Sequence, residues 1–454
     1  MALGKTVYVV FVVAILVVAA GAAVVVKNNS DDGHVNTPES LDNAVLKVYG
    51  NIDGDEDIDQ DDVKTIEKLI HDKATAADYP MADANRDGTI DQKDVDIVKK
   101  IIDGESTEIW HVNYYDVDGN GTMDEELVKT KFPIKSAVMT GSTNSFLLMT
   151  MCGIVEEIKG ASYSSADKAL FGDTFLDTSK VTKLTGSSST EMDYEAGASG
   201  ASQLVVEKNV TALITDWNKT YISNYKDFED AGVDVVRVAA ASTDKKVCDH
   251  SILLLGLLFQ KVERTKQLVA LYDTVFDEIA SKTSAKPVKA IASSMTNYVS
   301  SESSDYFQVL KAAGASFGLD GYNFNGKNSI KASENKGIFD KDTYNFDYII
   351  HIRTGVSYAD YDAAKIWKSY TDAFALWNDT EHQYIISGTV PVPVRIALAA
   401  SIINEDISED WANEIHQKFL DSFLQKYNYE THSFESYGFD LSKMSFLVHQ
   451  PETS

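Results

Sequence analysis

The chain has 454 residues, 44% of them apolar, and a formal net charge of −28. That length accommodates two or three domains with a sizeable core. The charge, with no basic patch against it, excludes a nucleic-acid-binding protein. Two cysteines, Cys152 and Cys248, exclude a disulfide-built scaffold and a C-x-x-C zinc or redox site. They are either one disulfide or two buried thiols.

Residues 6–26, TVYVVFVVAILVVAAGAAVVV, run for 21 positions without a charge between Lys5 and Lys27. As a helix they would span about 31 Å, close to the hydrocarbon thickness of a bilayer. A cleaved signal peptide is the competing reading, because small residues at 20–23 offer a cleavage point. The length favours an uncleaved transmembrane anchor. Either reading places the rest of the chain outside the cytoplasm, and Asp31 and Asp32 after the segment agree with an internal N-terminus. Sequons at Asn209 and Asn218 permit N-glycosylation.

After a polar linker (28–45), two acidic loops align at a spacing of 32 residues: NIDGDEDIDQDD (51–62) and DANRDGTIDQKD (83–94). Oxygen side chains fall at loop positions 1, 3, 5 and 12: Asn51, Asp53, Asp55 and Asp62, then Asp83, Asn85, Asp87 and Asp94. Calcium needs six to eight oxygens, including a backbone carbonyl at position 7 and often a water at 9. Asp57 and Thr89 would supply the carbonyls, with Asp59 and Asp91 at the water-linked position. Ile58 and Ile90 would pin the loops to a core. Gly88 suits the sharp turn of the second loop, whereas the first has Glu56 there. Each loop runs into apolar residues at helical spacing: Val63, Ile66, Leu69 and Ile70, then Val95, Val98, Ile101 and Ile102. Residues 28–105 carry 8 basic and 21 acidic side chains, and two calcium ions would offset part of that repulsion.

The duplicated loop–helix unit, closed by aspartate rather than glutamate, resembles the dockerin type I repeat over residues 46–105. That resemblance implies a small all-α module, folded by two calcium ions, that binds a cohesin domain. A third acidic stretch, DVDGNGTMDEEL (116–127), has Asp116, Asp118 and Asn120 at positions 1, 3 and 5 but Leu127 at 12. Its flanks, IWHVNYY and ELVKTKF, read as strands, so a β-hairpin with a polar tip is expected over 106–132 and a third calcium ion is not.

From Pro133 short apolar runs alternate with helical patterns, the rhythm of parallel α/β layers. SAVMT, ALITDW and VDVVRVA read as strands of a first lobe (133–249). KAIASSM, FDYIIHI and QYIISGTV read as strands of a second (284–430), with a tail over 431–454. Residues 250–283 contain no proline and one glycine, and as one bridging helix would reach about 50 Å.

The order TGSTNS, CGIVEEIKGASYS, MDYEA, ALITDW, FEDAGVDVVRV, long helix, FQVLKAAGA and YIISGTVPVPVRIALAASII is similar to that of substrate-binding proteins of iron-siderophore and cobalamin ABC importers. The resemblance implies two Rossmann-like lobes bridged by one long helix, an iron chelate, corrinoid or haem-like ligand, and an ABC permease partner. It implies no enzymatic chemistry, and no Ser–His–Asp order, nucleophile elbow or phosphate loop is present. In such α/β sheets ligands sit beyond the carboxyl ends of the strands. The expected cleft residues are therefore Ser142, Asn144, Tyr163, Trp217, Asn218, Tyr298, Arg353 and Arg395. Trp217, Tyr163 and Tyr298 would stack on a flat ligand, and Arg353, one of five arginines, would grip a carboxylate or phosphate. His351 is the one histidine near a strand end, which disfavours a bare transition-metal ion. For permease docking the family uses one glutamate per lobe. Glu195 matches the first, but Gln308 stands at the second, with Glu302 or Asp305 as substitutes. An adhesion or scaffold protein built on a repurposed binding-protein fold is the alternative.

Overall fold

The computed structural model describes residues 35–36, 41–118, 122–162, 179–184, 201–218, 221–282, 287–295, 298–340, 342–353, 362–371, 382–439, 441 and 446–449. The apolar segment 6–26 lies outside them, and among the described residues no helix is long and apolar enough to cross a membrane.

The acidic repeat forms two helices, α1 (Gln60–His71) and α2 (Gln92–Ile102), which pack together. Asp59 and Asp91, read as water-linked loop positions, are the N-caps: each pairs with Asp62 or Asp94 in a reciprocal capping box. The buried stripe Val63, Ile66, Leu69, Val95, Val98 and Ile101, with Ile58 and Ile90, joins the main core rather than a separate one. The unit is docked on the body. Lys266 pairs with Asp57 at 2.8 Å. The buried His250 ring takes the Lys47 N–H at 3.0 Å and bonds the Val112 carbonyl at 3.0 Å.

An antiparallel sheet follows, with β1 (Val35–Asn36), β2 (Thr107–Tyr115) and β3 (Asp124–Phe132) in the order β1-β3-β2. The acidic 116–127 stretch thus lies at a hairpin end, in register Tyr115↔Asp124. The hairpin closes the flank of the first lobe: the Asn113 amide donates to Val235 O at 2.9 Å and accepts from Arg237 N at 2.9 Å.

The first lobe is a five-stranded sheet of β4 (Ala137–Met139), β5 (Ile158–Ala161), β6 (Thr182–Lys183), β7 (Ala212–Asp216) and β8 (Asp234–Val238). All pairings are parallel, in the order β6-β5-β4-β7-β8. Helices α3 (Thr143–Met151), α4 (Ala201–Lys208) and α5 (Tyr225–Asp230) connect them. The chain turns outward in opposite directions from β4 and β7, so the crevice between their carboxyl ends is the topological switch point.

The single long helix expected over 250–283 is two helices. They are α6 (Lys245–Leu258) and α7 (Val262–Lys282). Gln260 takes a left-handed conformation (φ +56°), and the Lys261 N–H closes back on Gly256 O at 2.7 Å, a helix-terminating cap. The helices return antiparallel, so that Lys245 at the head of α6 pairs with Asp273 on α7 at 2.5 Å. Gly256 permits the approach, since a Cβ there would lie 1.9 Å from Thr265 Oγ1.

The second lobe is a mixed sheet of β9 (Lys289–Met295), β10 (Tyr298–Ser300), β11 (Ser316–Phe317), β12 (Ser329–Lys331), β13 (Tyr348–Arg353), β14 (Gln383–Ser387) and, after a small hairpin of β15 (Lys426–Asn428) and β16 (Ser433–Glu435), β17 (Leu447–Val448). Its order is β12-β10-β9-β13-β14-β17, with β11 also on β9. The centre β9-β13-β14 is parallel. Helices α8 (Asp305–Ala312), α9 (Ala363–Thr371), α10 (Val392–Ile403) and α11 (Glu409–Ser422) complete it. Helix α10 is apolar on nearly every face because it sits between α7, α8, α11 and β14. Both cysteines are buried and outside any disulfide, and burial pushes the Cys152 thiol up to about 12.

Candidate ligand-binding cleft

The two lobes meet at the carboxyl ends of their central strands. From the first lobe, the turn after β4 supplies Ser142, Thr143 and Asn144 at the head of α3. The end of β7 supplies Asp216, Trp217 and Asn218, with Tyr221 beyond. From the second lobe come Asp305, Tyr306 and Val309 of α8, Ile352 at the end of β13, Gly388 after β14 and Arg395 of α10. Together they enclose a cavity of about 150 Å³.

Arg395 is buried, and its guanidinium links the lobes. Its Nε donates to Val390 O at 2.9 Å within the second lobe, and its terminal nitrogen donates to the Asn144 side-chain oxygen of the first. Asp216 lines the same cavity and is 2% exposed. Burial, and then the charge of Asp305, pushes the Asp216 carboxyl up to about 7 against hydrogen bonds from Asn218 N and Ser145 Oγ. Asp305 is open to the cleft. Desolvation raises its carboxyl while Arg395 lowers it. Desolvation also raises the Tyr221 and Tyr306 phenols, which are therefore neutral donors here.

Of the expected cleft residues, the structure brings together Ser142, Asn144, Trp217, Asn218 and Arg395. Tyr163 and Glu195 lie outside the described residues. Tyr298 is in β10, paired with Met295 and Lys331 across the second sheet, and does not line the cavity. The backbone of Arg353 ends β13, but its neighbour Ile352 supplies the lining. His351 is buried within β13 beside Gln383, where desolvation lowers its ring to about 4. Asp305, considered for permease docking, faces the cleft instead, and the Gln308 amide donates to Glu302 O at 2.7 Å. Asn209 is exposed after α4, whereas Asn218 sits in the cleft lining.

The acidic loops are a second candidate. Their donor set is all oxygen, which suits a hard cation. Asp83 accepts from Asp87 N and Gly88 N, and Asp62 and Asp94 each accept two backbone N–H groups. Burial pushes the Asp62 carboxyl up to about 6 and raises Asp53, Asp83 and Asp94. Burial disfavours the ionised form of these acids, a cost that a nearby positive charge would offset.

The fold and the cleft define a two-lobed α/β protein, with a parallel sheet in one lobe and a parallel centre in the other. No family model and no curated protein matches the chain. Solved structures similar to it include the TroA-like periplasmic binding protein FepB from Veillonella parvula, at 14% identity over 70% of this chain and 95% of that one, with a TM-score of 0.49. A periplasmic heme-binding protein from Pseudomonas aeruginosa shares 13% identity over 60% of this chain and 94% of that one, with a TM-score of 0.41. Helicobacter pylori CeuE, in a complex with Ni-His, shares 14% identity over 70% and 95%, with a TM-score of 0.45.

Proposed function

We propose that the protein is a solute-binding protein that captures a small metal chelate between its lobes, by binding and modest closure without covalent chemistry. The observation that supports this is the cavity at the first lobe's switch point, spanned by the Arg395–Asn144 hydrogen bond. Asp305, joined by Asp216 once that carboxyl ionises, favours a chelate of neutral or net positive charge over an anionic one.

Calorimetry of the full chain against cationic and neutral ferric chelates, nickel–histidine, haem and a corrinoid tests the reading. Stoichiometric binding of a chelate, weakened by Asp216→Asn, supports it. Absence of binding across the panel sinks it.

For the N-terminal part, the proposal is a membrane-anchored, extracellular placement, with residues 46–105 as a calcium-folded, dockerin-like handle. Asn51, Asp53, Asp55, Asp57 and Asp62 would hold one ion, and Asp83, Asn85, Asp87, Thr89 and Asp94 the other. A cohesin-like partner would meet the solvent-facing sides of α1 and α2, which carry Lys64, Lys68, Lys93 and Lys100. Calcium-dependent retention of the full chain on an immobilised cohesin tests this part. Delivery to an ABC permease belongs to the same proposal. The alternative, a surface adhesion role, is favoured by the engaged amide of Gln308 where a docking carboxylate is expected.

A further inference from the structure

The end of the β2/β3 hairpin, against the cleft wall, carries three acids. Asp116 and Asp118 follow β2, and Asp124 opens β3. One carboxylate oxygen from each lies within 4.8 Å of the others, the one such group among the described residues. The sequence spacing set Leu127 at the closing position of this stretch, where a carboxylate is needed. Strand pairing instead sets Asp124 opposite Tyr115, which brings its carboxylate beside those of Asp116 and Asp118.

The second observation is the state of Asp116. Its side chain is 3% exposed, and its Oδ1 is sealed from solvent without a hydrogen-bond partner. Turn formation accounts for Asp124, whose Oδ2 accepts from Val117 N at 3.2 Å. It does not account for Asp116. A buried carboxylate oxygen left unpaired is costly, and the neighbouring acids make it costlier. A cation held by all three removes that cost.

We infer that Asp116, Asp118 and Asp124 form a calcium site at the end of the β2/β3 hairpin. The donors are hard oxygens without sulfur or imidazole, which selects calcium over the thiophilic metals. Three carboxylates leave coordination positions for water and backbone carbonyls. The site also braces the cleft. The Asp116 N–H donates to the Trp217 carbonyl at 3.2 Å, and Trp217 lines the ligand cavity. The site stands apart from the acidic loops of α1 and α2 and from the cleft's own ligand.

The test uses the full chain, with calcium as the probe, equilibrium dialysis and elemental analysis to count bound ions. The double variant Asp118→Asn/Asp124→Asn is expected to bind one calcium fewer per chain than the wild type, with an unchanged circular dichroism spectrum in chelator. Should that variant fail to fold, Asp118→Asn alone, at an exposed side chain, is expected to weaken one class of sites by about tenfold or more. An unchanged calcium count and affinity in either folded variant overturns the site.

Discussion

Arg395 of the second lobe donates a hydrogen bond to Asn144 of the first, across the floor of the cleft. The contact is buried on the arginine side and links helix α10 to the head of α3. A charge-assisted bond of this kind contributes about 1.5–3 kcal/mol. Asn144→Ala is expected to lower the midpoint of thermal unfolding and to weaken chelate binding. Arg395→Lys keeps the charge but cannot hold both Val390 O and Asn144 in a fixed fork, so it should resemble Asn144→Ala rather than wild type. Differential scanning calorimetry with and without ligand checks both, and wild-type behaviour of either variant removes the linking role.

Asp216 makes stability depend on pH in a definite direction. Its folded carboxyl titrates at about 7, against an ordinary value of 3.8. Between those values the native state holds a proton that the unfolded chain has released. Stability contributed by the neutral form is full below about 4 and is lost as pH rises toward 7, at up to about 1.4 kcal/mol per pH unit. Asp216→Asn should flatten that slope in urea titrations from pH 4 to 8. Affinity for a cationic chelate should rise over the same range in wild type and stay level in the variant.

Much of the scaffold was legible because its central strands are short apolar, often β-branched runs ending in small or polar residues. Ala212–Asp216 and Asp234–Val238 sit inside the runs that sequence marks. The two-residue strands β6 and β11 are too short to leave a period. The break between α6 and α7 was illegible for a different reason. It turns on a left-handed Gln260 inside an apolar, proline-free stretch, and nothing local distinguishes that residue from a helical glutamine. In the cleft, Ser142, Asn144, Trp217, Asn218 and Arg395 follow from strand ends and the switch-point rule. Asp305 and Tyr306 do not, because they begin a helix whose facing lobe is remote in sequence. Asp216 was visible as the last residue of a strand, but its burial against Asp305 is a tertiary fact.

The acidic repeat should respond to chelation in the intact chain. With the aspartates of both loops raised by burial and mutual repulsion, removing the calcium proposed above would leave the capping boxes of α1 and α2 to hold the loops alone. Limited proteolysis with EGTA is expected to open cuts within 51–94 that excess calcium suppresses, while the lobes stay intact. An identical cleavage pattern in both conditions would remove calcium from the account of this unit.

Gly256 and Thr265 set how closely α6 and α7 approach. A Cβ on Gly256 would meet Thr265 Oγ1 at 1.9 Å, Cβ at 2.8 Å and Cγ2 at 2.9 Å, so no rotamer of the threonine clears it. Both residues are fully buried, and α7 also packs on α10, which carries Arg395 into the cleft. Gly256→Ala is therefore expected to destabilise the protein by about 1–3 kcal/mol through overpacking. Thr265→Ala removes Oγ1 and Cγ2 but leaves the Cβ contact, so Gly256→Ala/Thr265→Ala should recover part of the loss. The double-mutant cycle then gives a favourable coupling between two residues only nine positions apart. Strict additivity would mean that the helix pair yields elsewhere, and that the close approach at Gly256 does not set its spacing.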